Sequence, residues 1–494
     1  MEEGQFFSAA EARSYFLREE NYFTVPLPKY FKFGNVLGVV EKKMRGKTLS
    51  DFCNLEELGK AKGVNFCLYG RKDGEYGVRK FQAIHPAIYV ELLRLVEENW
   101  GRIVERAGLF RRQEIVSAVG ARVTSERDAT AAAILRWWNG IEQNAIKMSL
   151  YYDYVAKTDV MACYDSFDIG LIREAIGGKG GEEIARVLSL MSEGKMVGIP
   201  QGCLLVDLLA EIGFLYLDAL LWAKLKKCGL GKEFAVVRFR DDYRIYANDE
   251  KVVREILTRL AGVLARFGMR LNPEKTEISD DIVGTARKAD KIYWEDCRRQ
   301  VLLMDATWGG VQKSLLLIYE LQKRYPNSGS VQRALVELYE KRIVRMEKRP
   351  GDAEQILGIM VNIMARNPRA SQICVAIMSK ILSFNPGVSR RELANYVLRK
   401  VKKYPNLDYF EVWLQRLTVQ NRPEKKYGFG LCRLVNEPSL VRIWNSEWLD
   451  FEIDESGILD KQTIKEMDFV MPVEEIQVFS DYSDGGGEFV EFGI

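Results

Sequence analysis

The stretch Phe234-Ala-Val-Val-Arg-Phe-Arg-Asp-Asp-Tyr-Arg-Ile-Tyr-Ala247 decides the reading of this chain. Apolar and polar residues roughly alternate on both sides of Asp241-Asp242. That period predicts a β-hairpin turning at the two acids. Two-residue turns favour Asn-Gly or Asp-Gly, because φ must be positive there. Two adjacent carboxylates without a glycine repel each other. Such local rules are broken where function requires it. Read alone, the stretch fits an exposed acidic turn as well.

Upstream lies Thr158-Asp-Val-Met-Ala-Cys-Tyr-Asp-Ser-Phe167, in which Asp159 opens an apolar run and sits on a strand or its edge. A third carboxylate facing the hairpin completes a hard-oxygen site for Mg²⁺, and two such ions suit phosphoryl transfer. Gly198-Ile-Pro-Gln-Gly-Cys203 directly precedes a long apolar helix starting near Val206. A loop of this kind lets backbone and an amide approach a flat partner closely. Downstream, apolar positions from Lys251 to Phe267 fall on one helical face, with Asn248 or Asp249 to cap its start and Gly268 its end. Gly268-Met-Arg-Leu-Asn-Pro-Glu-Lys-Thr-Glu277 follows. Its Lys275 is placed on a short extended segment, where an ammonium group can act as general acid.

Nearer the start, Asn65-Phe-Cys-Leu-Tyr69 and Val78-Arg-Lys-Phe81 flank Arg71-Lys-Asp-Gly74 and predict a hairpin. A helix is expected from Pro86 to about Asn99, and another over roughly Asp128–Lys147.

An Asp on a strand, Pro-Gln-Gly before a helix, Phe-x-Asp-Asp in a hairpin and Asn-Pro-x-Lys-Thr after a helix occur here in the order of palm motifs A to D. Over roughly residues 20–300 the chain therefore resembles the reverse-transcriptase family. The resemblance implies an α+β fold: right-hand polymerase fingers and palm over 1–300, then an all-α, repeat-like domain. It implies that Asp159, Asp241 and Asp242 bind two Mg²⁺ ions, with Mn²⁺ as a substitute, and that Lys275 assists departure of pyrophosphate. Tyr164 would collide with a ribose 2′-hydroxyl, selecting deoxynucleotides. Gln201 and Gly202 would contact the nascent base pair, and Arg79 and Lys72 would hold phosphates.

The hairpin carries Phe-Arg-Asp-Asp where many family members have Tyr-Ala-Asp-Asp, and Val206-Asp207 stands where many have serine and proline. With the helical C-terminal region, these departures are similar to the bacterial defence-associated, abortive-infection-like "unknown group" of reverse transcriptases. Trp137-Trp138 with Glu142-Gln143, and Tyr325-Pro-Asn-Ser-Gly329, resemble its type 3 antiphage systems most. The resemblance implies a nucleotidyltransferase that makes DNA in antiviral defence. Synthesis would be RNA-directed on a non-coding RNA or template-independent, in an oligomer or beside a second reverse-transcriptase subunit. Two other readings stay open: a catalytically silent assembly subunit, and a retron-like or mobile-element reverse transcriptase.

Composition narrows the field further. Of 494 residues, 47% are hydrophobic and 29% charged, which describes a globular chain large enough for a sizeable core. The single histidine, His85, rules out a multi-histidine metal centre and leaves a Ser–His triad only that one residue, so catalysis is expected to rest on carboxylates, lysine and metal; His85 is expected to pack between fingers and palm. Eight cysteines stand singly, with no CxxC pair, and fit a reducing cytoplasm. The most apolar run, Leu204–Trp222, contains Asp207, Glu211 and Asp218, which argues against a membrane span. No secretory signal is expected in the first twenty residues.

Residues 447–494 hold 14 acidic and 2 basic residues; with a whole-chain charge of +3, residues 1–446 carry +15, a balance suited to a polyanion. From Val311 to Leu417 helical patterns are broken at Pro326, Pro350-Gly351, Asn367-Pro368, Asn385-Pro-Gly387 and Pro405-Asn406. This predicts a helical thumb or repeat-like domain over 301–446, then an acidic segment, 447–494, with a flexible tail from about Ser480. The basic run from Arg390-Arg391 to Lys402-Lys403 fits RNA contact or a solvated helix face.

Overall fold

A computed structural model describes residues 8–71, 77–111, 115–117, 142–230, 233–303, 310–385, 387–403, 408–420 and 425–476. The chain folds as α+β. The first hairpin pairs β1 (Phe66–Arg71) with antiparallel β2 (Val78–Ala83). A five-stranded sheet joins β3 (Ile115–Ser117), β4 (Tyr154–Asp159), β5 (Phe234–Phe239), β6 (Asp242–Ala247) and β7 (Glu277–Ser279) in the order β3-β5-β6-β4-β7. Its pairs are antiparallel except β3 with β5.

Strand alternation gives this sheet two differently covered faces. Ala156, Val236, Tyr243, Ile245 and Ala247 belong to the large core, with Leu225 of the helix Leu204–Lys227 and Val253 of the helix Glu250–Ala265. Val155, Val237 and Tyr246 alternate with them and join Ala145, Met148, Ile282 and Ala286 in a smaller cluster. Asp159 and Asp242 share the register of this second face.

The helix Leu204–Lys227 is buried on most sides, as its nearly continuous apolar sequence requires. Gly213 within it faces the Phe167 ring, which an added Cβ would meet at 2.9 Å, so only glycine permits this approach. The helix Glu250–Ala265 starts as its sequence predicts: the Asp249 side chain accepts from the Lys251 amide. It stops at Gly268, whose φ of +68° is the left-handed conformation of a helix end.

The helix Pro86–Glu98 also matches its expected span. Of the helix expected over Asp128–Lys147, residues 128–141 lie outside the described residues, and 142–148 are helical. Trp137-Trp138 and the tail from Ser480 lie outside as well.

Beyond residue 300 come the helices Val311–Arg324, Gly329–Leu338, Ala353–Arg366, Ser371–Ser383, Gly387–Val401 and Asp408–Gln415; the expected breaks at Pro326, Pro350-Gly351 and Asn367-Pro368 fall between them, while Pro386 and Pro405-Asn406 lie outside the described residues. The chain then returns to its beginning. Ile458 O accepts from Lys32 N at 2.6 Å, Phe52 O from Asp450 N at 2.8 Å, and Ala83 O from Trp444 Nε1 at 3.1 Å. Buried Arg416 and Glu475 form a two-pronged ion pair at 2.9 and 3.0 Å. Residues 447–476 of the acidic segment are thus folded against other parts of the chain.

His85 belongs to this junction and not to a contact between fingers and palm. It caps the helix Pro86–Glu98 by accepting from the Ala87 amide at Nδ1, so Nε2 carries the proton facing Ser446 Oγ at 3.0 Å. Its ring lies 4.6 Å from that of Trp448. Arg390 likewise has structural partners. It donates to the carbonyls of Leu382 and Ser383 and covers the Phe469 ring.

Candidate active site

The hairpin turns one residue earlier than its sequence suggests. Phe239 pairs with Asp242, so Arg240 and Asp241 form the loop and Asp242 is the first residue of β6. Arg240 takes the left-handed backbone, with φ of 49°, that glycine would adopt cheaply. Moving the turn to Asp241-Asp242 would slide the two strands by two residues and keep Tyr243 and Ile245 on the core face, but it would bring Arg240 into the ladder opposite Tyr243.

The same register brings the first and third acids together. Asp159, last residue of β4, is the cross-strand partner of Asp242. Asp241 is joined to the end of β4, since its carbonyl accepts from the Val160 amide at 3.1 Å. Past β4 the chain at 270–272 continues the pairing: Met161 N donates to Arg270 O at 2.9 Å and Asn272 N to Asp159 O at 2.8 Å. The Asn272 side chain caps the short turn Pro273–Lys275, and Lys275 Nζ reaches Asp159 Oδ2 at 2.6 Å. The Asp159 side chain is buried, and its Oδ1 has no hydrogen-bond partner.

The electrostatics are those of crowded acids. Surrounding protein raises Asp241, and nearby Asp159 raises it further. Desolvation first, then the charge of Asp241, pushes Asp242 up to about 6. Desolvation opposes the Lys275 ammonium, but the Asp159 hydrogen bond and all three carboxylates outweigh it and hold the pKa above the ordinary lysine value. Lys288, a residue the sequence reading did not single out, lies close enough to Asp242 to act on its charge. Among the described residues no three His, Cys, Asp or Glu side chains converge closely enough to hold a metal ion.

The loop before the long helix stitches this centre to the first hairpin. Gln201 O accepts from Gln82 N of β2 at 2.8 Å, and Gly202 O from Thr24 N at 2.9 Å. Gly202 has φ of +110°, and a Cβ there would press on Phe23 and Val25. Arg79 lies on β2 opposite Gly70. No described contact brings it to the acids, and Lys72 lies outside the described residues.

Tyr164 follows the left-handed residue Ala162 in the short helix Cys163–Ser166. Its phenol donates to Asp207 Oδ1, while Asp207 Oδ2 pairs with Arg240 Nη2 at 3.2 Å. Burial and the Asp207 charge push the phenol pKa well up, so it stays a donor. Burial also raises Asp207, against the opposing pull of Arg240 and Tyr164.

Beneath the turn, fully buried Arg238 grips Glu211 at 2.8 and 2.9 Å, Asp218 at 2.7 Å and the Arg240 carbonyl at 3.0 Å. The signal for these partners was present in sequence. Asp207, Glu211 and Asp218 recur on one side of an otherwise apolar helix, and arginines at 238 and 240 flank the strand end.

No family model and no curated protein matches this chain. Among solved structures it is similar to apo telomerase from Candida tropicalis, at 12% identity over 72% of this chain and 68% of that one, with a TM-score of 0.31. It is similar also to telomerase from Candida albicans in complex with a fragment of telomeric RNA, at 11% identity over 72% of this chain and 65% of that one, with a TM-score of 0.30. Overlays this loose carry no argument, and the site stands on its own residues. Among the described residues no helix is long and apolar enough to cross a membrane.

Proposed function

We propose that this chain is a reverse-transcriptase-type DNA polymerase that adds deoxynucleotides and acts in bacterial antiphage defence. The observation that carries the reading is the cross-strand pairing of Asp159 with Asp242, with Asp241 in the adjoining turn and Lys275 on Asp159. Sequence motifs more than a hundred residues apart converge there.

The donor types suit a hard divalent cation, but as they stand the three carboxylates are not close enough to hold one, so binding would have to draw them together. Asp159 offers a buried, unpartnered oxygen, and Asp241 and Asp242 are acids whose crowding a cation relieves. Asp159, Asp241 and Asp242 would hold two Mg²⁺ ions, or Mn²⁺, which when bound neutralise triphosphate charge and favour the deprotonated 3′-hydroxyl. Lys275, kept protonated at neutral pH by its carboxylate neighbours, would donate a proton to the departing pyrophosphate. Tyr164 would exclude a ribose 2′-hydroxyl. Gln201 and Gly202 would line the nascent pair, with Arg79 and Lys72 on the phosphates. The antiphage role, a non-coding RNA template or template-free synthesis, and assembly with a second subunit or further copies rest on the motif resemblance; a cytoplasmic setting rests on the unpaired cysteines.

The test incubates purified protein with Mg²⁺ and each labelled deoxynucleotide, with and without co-purifying RNA, beside Asp241→Ala, Asp242→Ala. Polymer that the double variant fails to make is the expected result, and its loss after RNase treatment identifies RNA as template or primer. No polymer with any nucleotide, metal or RNA overturns the proposal for the isolated chain.

A further inference from the structure

We propose that Asp207 and Arg240 are positioning residues that hold Tyr164, and through its ring set the preference for deoxy- over ribonucleotides. The inference rests on the polymerase reading and goes beyond it, because neither side chain belongs to the three-acid centre.

Tyr164 is fixed at several points. Its carbonyl accepts from Ile199 N at 2.9 Å, just before the Pro-Gln-Gly loop. Its ring packs at the edge of the large core. Its phenol ends on Asp207, just after that loop. The loop holding Gln201 and Gly202 is therefore bracketed by contacts to this one residue.

Asp207 is in turn divided between two partners, one oxygen for the phenol and the other for Arg240. Arg240 is held from below as well, because Arg238 Nη1 donates to its carbonyl at 3.0 Å. A left-handed arginine costs energy that glycine would avoid, and the Asp207 ion pair offsets that cost. The contacts run from the turn carrying Asp241, through Arg240 and Asp207, to the ring of Tyr164.

Steric exclusion of one hydroxyl requires a ring that does not swing aside. A phenol hydrogen-bonded to a carboxylate gives the ring an anchor at its far end, which packing alone supplies only along its sides. Releasing the anchor lets the ring yield to a ribose.

The experiment measures addition of deoxy- and ribonucleotides in competition, as the ratio of the two kcat/KM values. Wild type is compared with Tyr164→Phe, Asp207→Ala and Arg240→Gly, the last of which suits the backbone at that position. Each variant is expected to lower the ratio about tenfold, the worth of one charge-assisted hydrogen bond. Asp207→Ala combined with Arg240→Gly should fall no further than Asp207→Ala alone, because both act through one contact.

A merely structural role would slow both nucleotide types equally and leave the ratio unchanged, which overturns the inference while the polymerase reading stands. Tyr164→Phe keeps the ring and tests the anchor even if the other variants fold poorly. If wild type adds neither nucleotide, the polymerase reading fails and the inference falls with it.

Discussion

Replacing Arg238 by methionine tests how the turn is supported. The methionine fills much of the volume but removes the guanidinium that bridges buried Glu211 and Asp218. Arg238 gives Glu211 two hydrogen bonds, Asp218 one and the Arg240 carbonyl another, all between 2.7 and 3.0 Å. Tyr243 adds a bond to Asp218 at 3.1 Å, which cannot replace a charge. Breaking a buried ion pair by removing one partner costs about 3–5 kcal/mol.

That cost depends on pH with a definite sign. Burial already raises Asp218 to about 6 with Arg238 present, and without the guanidinium it rises further. Groups whose folded pKa exceeds the unfolded value bind more protons in the folded state. Their penalty is therefore greatest above the folded pKa and disappears below the unfolded one, near 4. Urea unfolding followed by tryptophan fluorescence should show Arg238→Met less stable than wild type by about 3–5 kcal/mol at pH 7.5. Through the window where Asp218 titrates, the gap should close by up to about 1.4 kcal/mol per pH unit. Adding Glu211→Leu and Asp218→Asn should restore much of the lost stability at pH 7.5. A loss under about 1 kcal/mol, or a loss independent of pH, refutes the reasoning, because the three side chains would then not be coupled as a buried ion cluster.

Lys275→Met should lower the maximal rate of nucleotide addition about 100-fold, as loss of a general acid does, with the defect persisting at saturating nucleotide; a change in KM alone would make Lys275 a binding residue instead. His85 titrates near 3 because burial opposes its cation. The folded state therefore loses up to about 1.4 kcal/mol of stability for each pH unit from about 6.5 down toward 3. His85→Gln should flatten that part of the stability profile, and an unchanged slope would place the acid sensitivity elsewhere.

The candidate site was legible where local chemistry and chain order carry the information. Alternation marked β5 and β6, Asp249 and Gly268 marked the helix between them, and proline and glycine marked the breaks beyond residue 310. Of the four groups expected at the centre, Asp242 is the cross-strand partner of Asp159, Lys275 bonds Asp159, and Asp241 sits in the adjoining turn. Single-residue register was not legible. A turn shifted by one residue leaves the same side chains on the core face, so alternation does not distinguish Arg240-Asp241 from Asp241-Asp242; only the observed cross-strand pairing does.

Sequence by itself determined the types of element, their order and the residues able to carry phosphoryl chemistry, because propensity, capping and hydrophobic period are local. Tertiary structure alone decided what the unusual charges are for. In sequence Asp207, Glu211 and Asp218 argue against a membrane span, and their recurrence on one side of the helix signals partners without naming them. Packed against β5 and its turn they become the partners of Arg238, Arg240 and Tyr164. It also decided that His85 and residues 444–448 form one junction, though they lie more than 350 residues apart. The physical reason is the same in both cases. A buried charge or ring is stable only with a partner, and the identity of that partner is set by packing in space and not by neighbours along the chain.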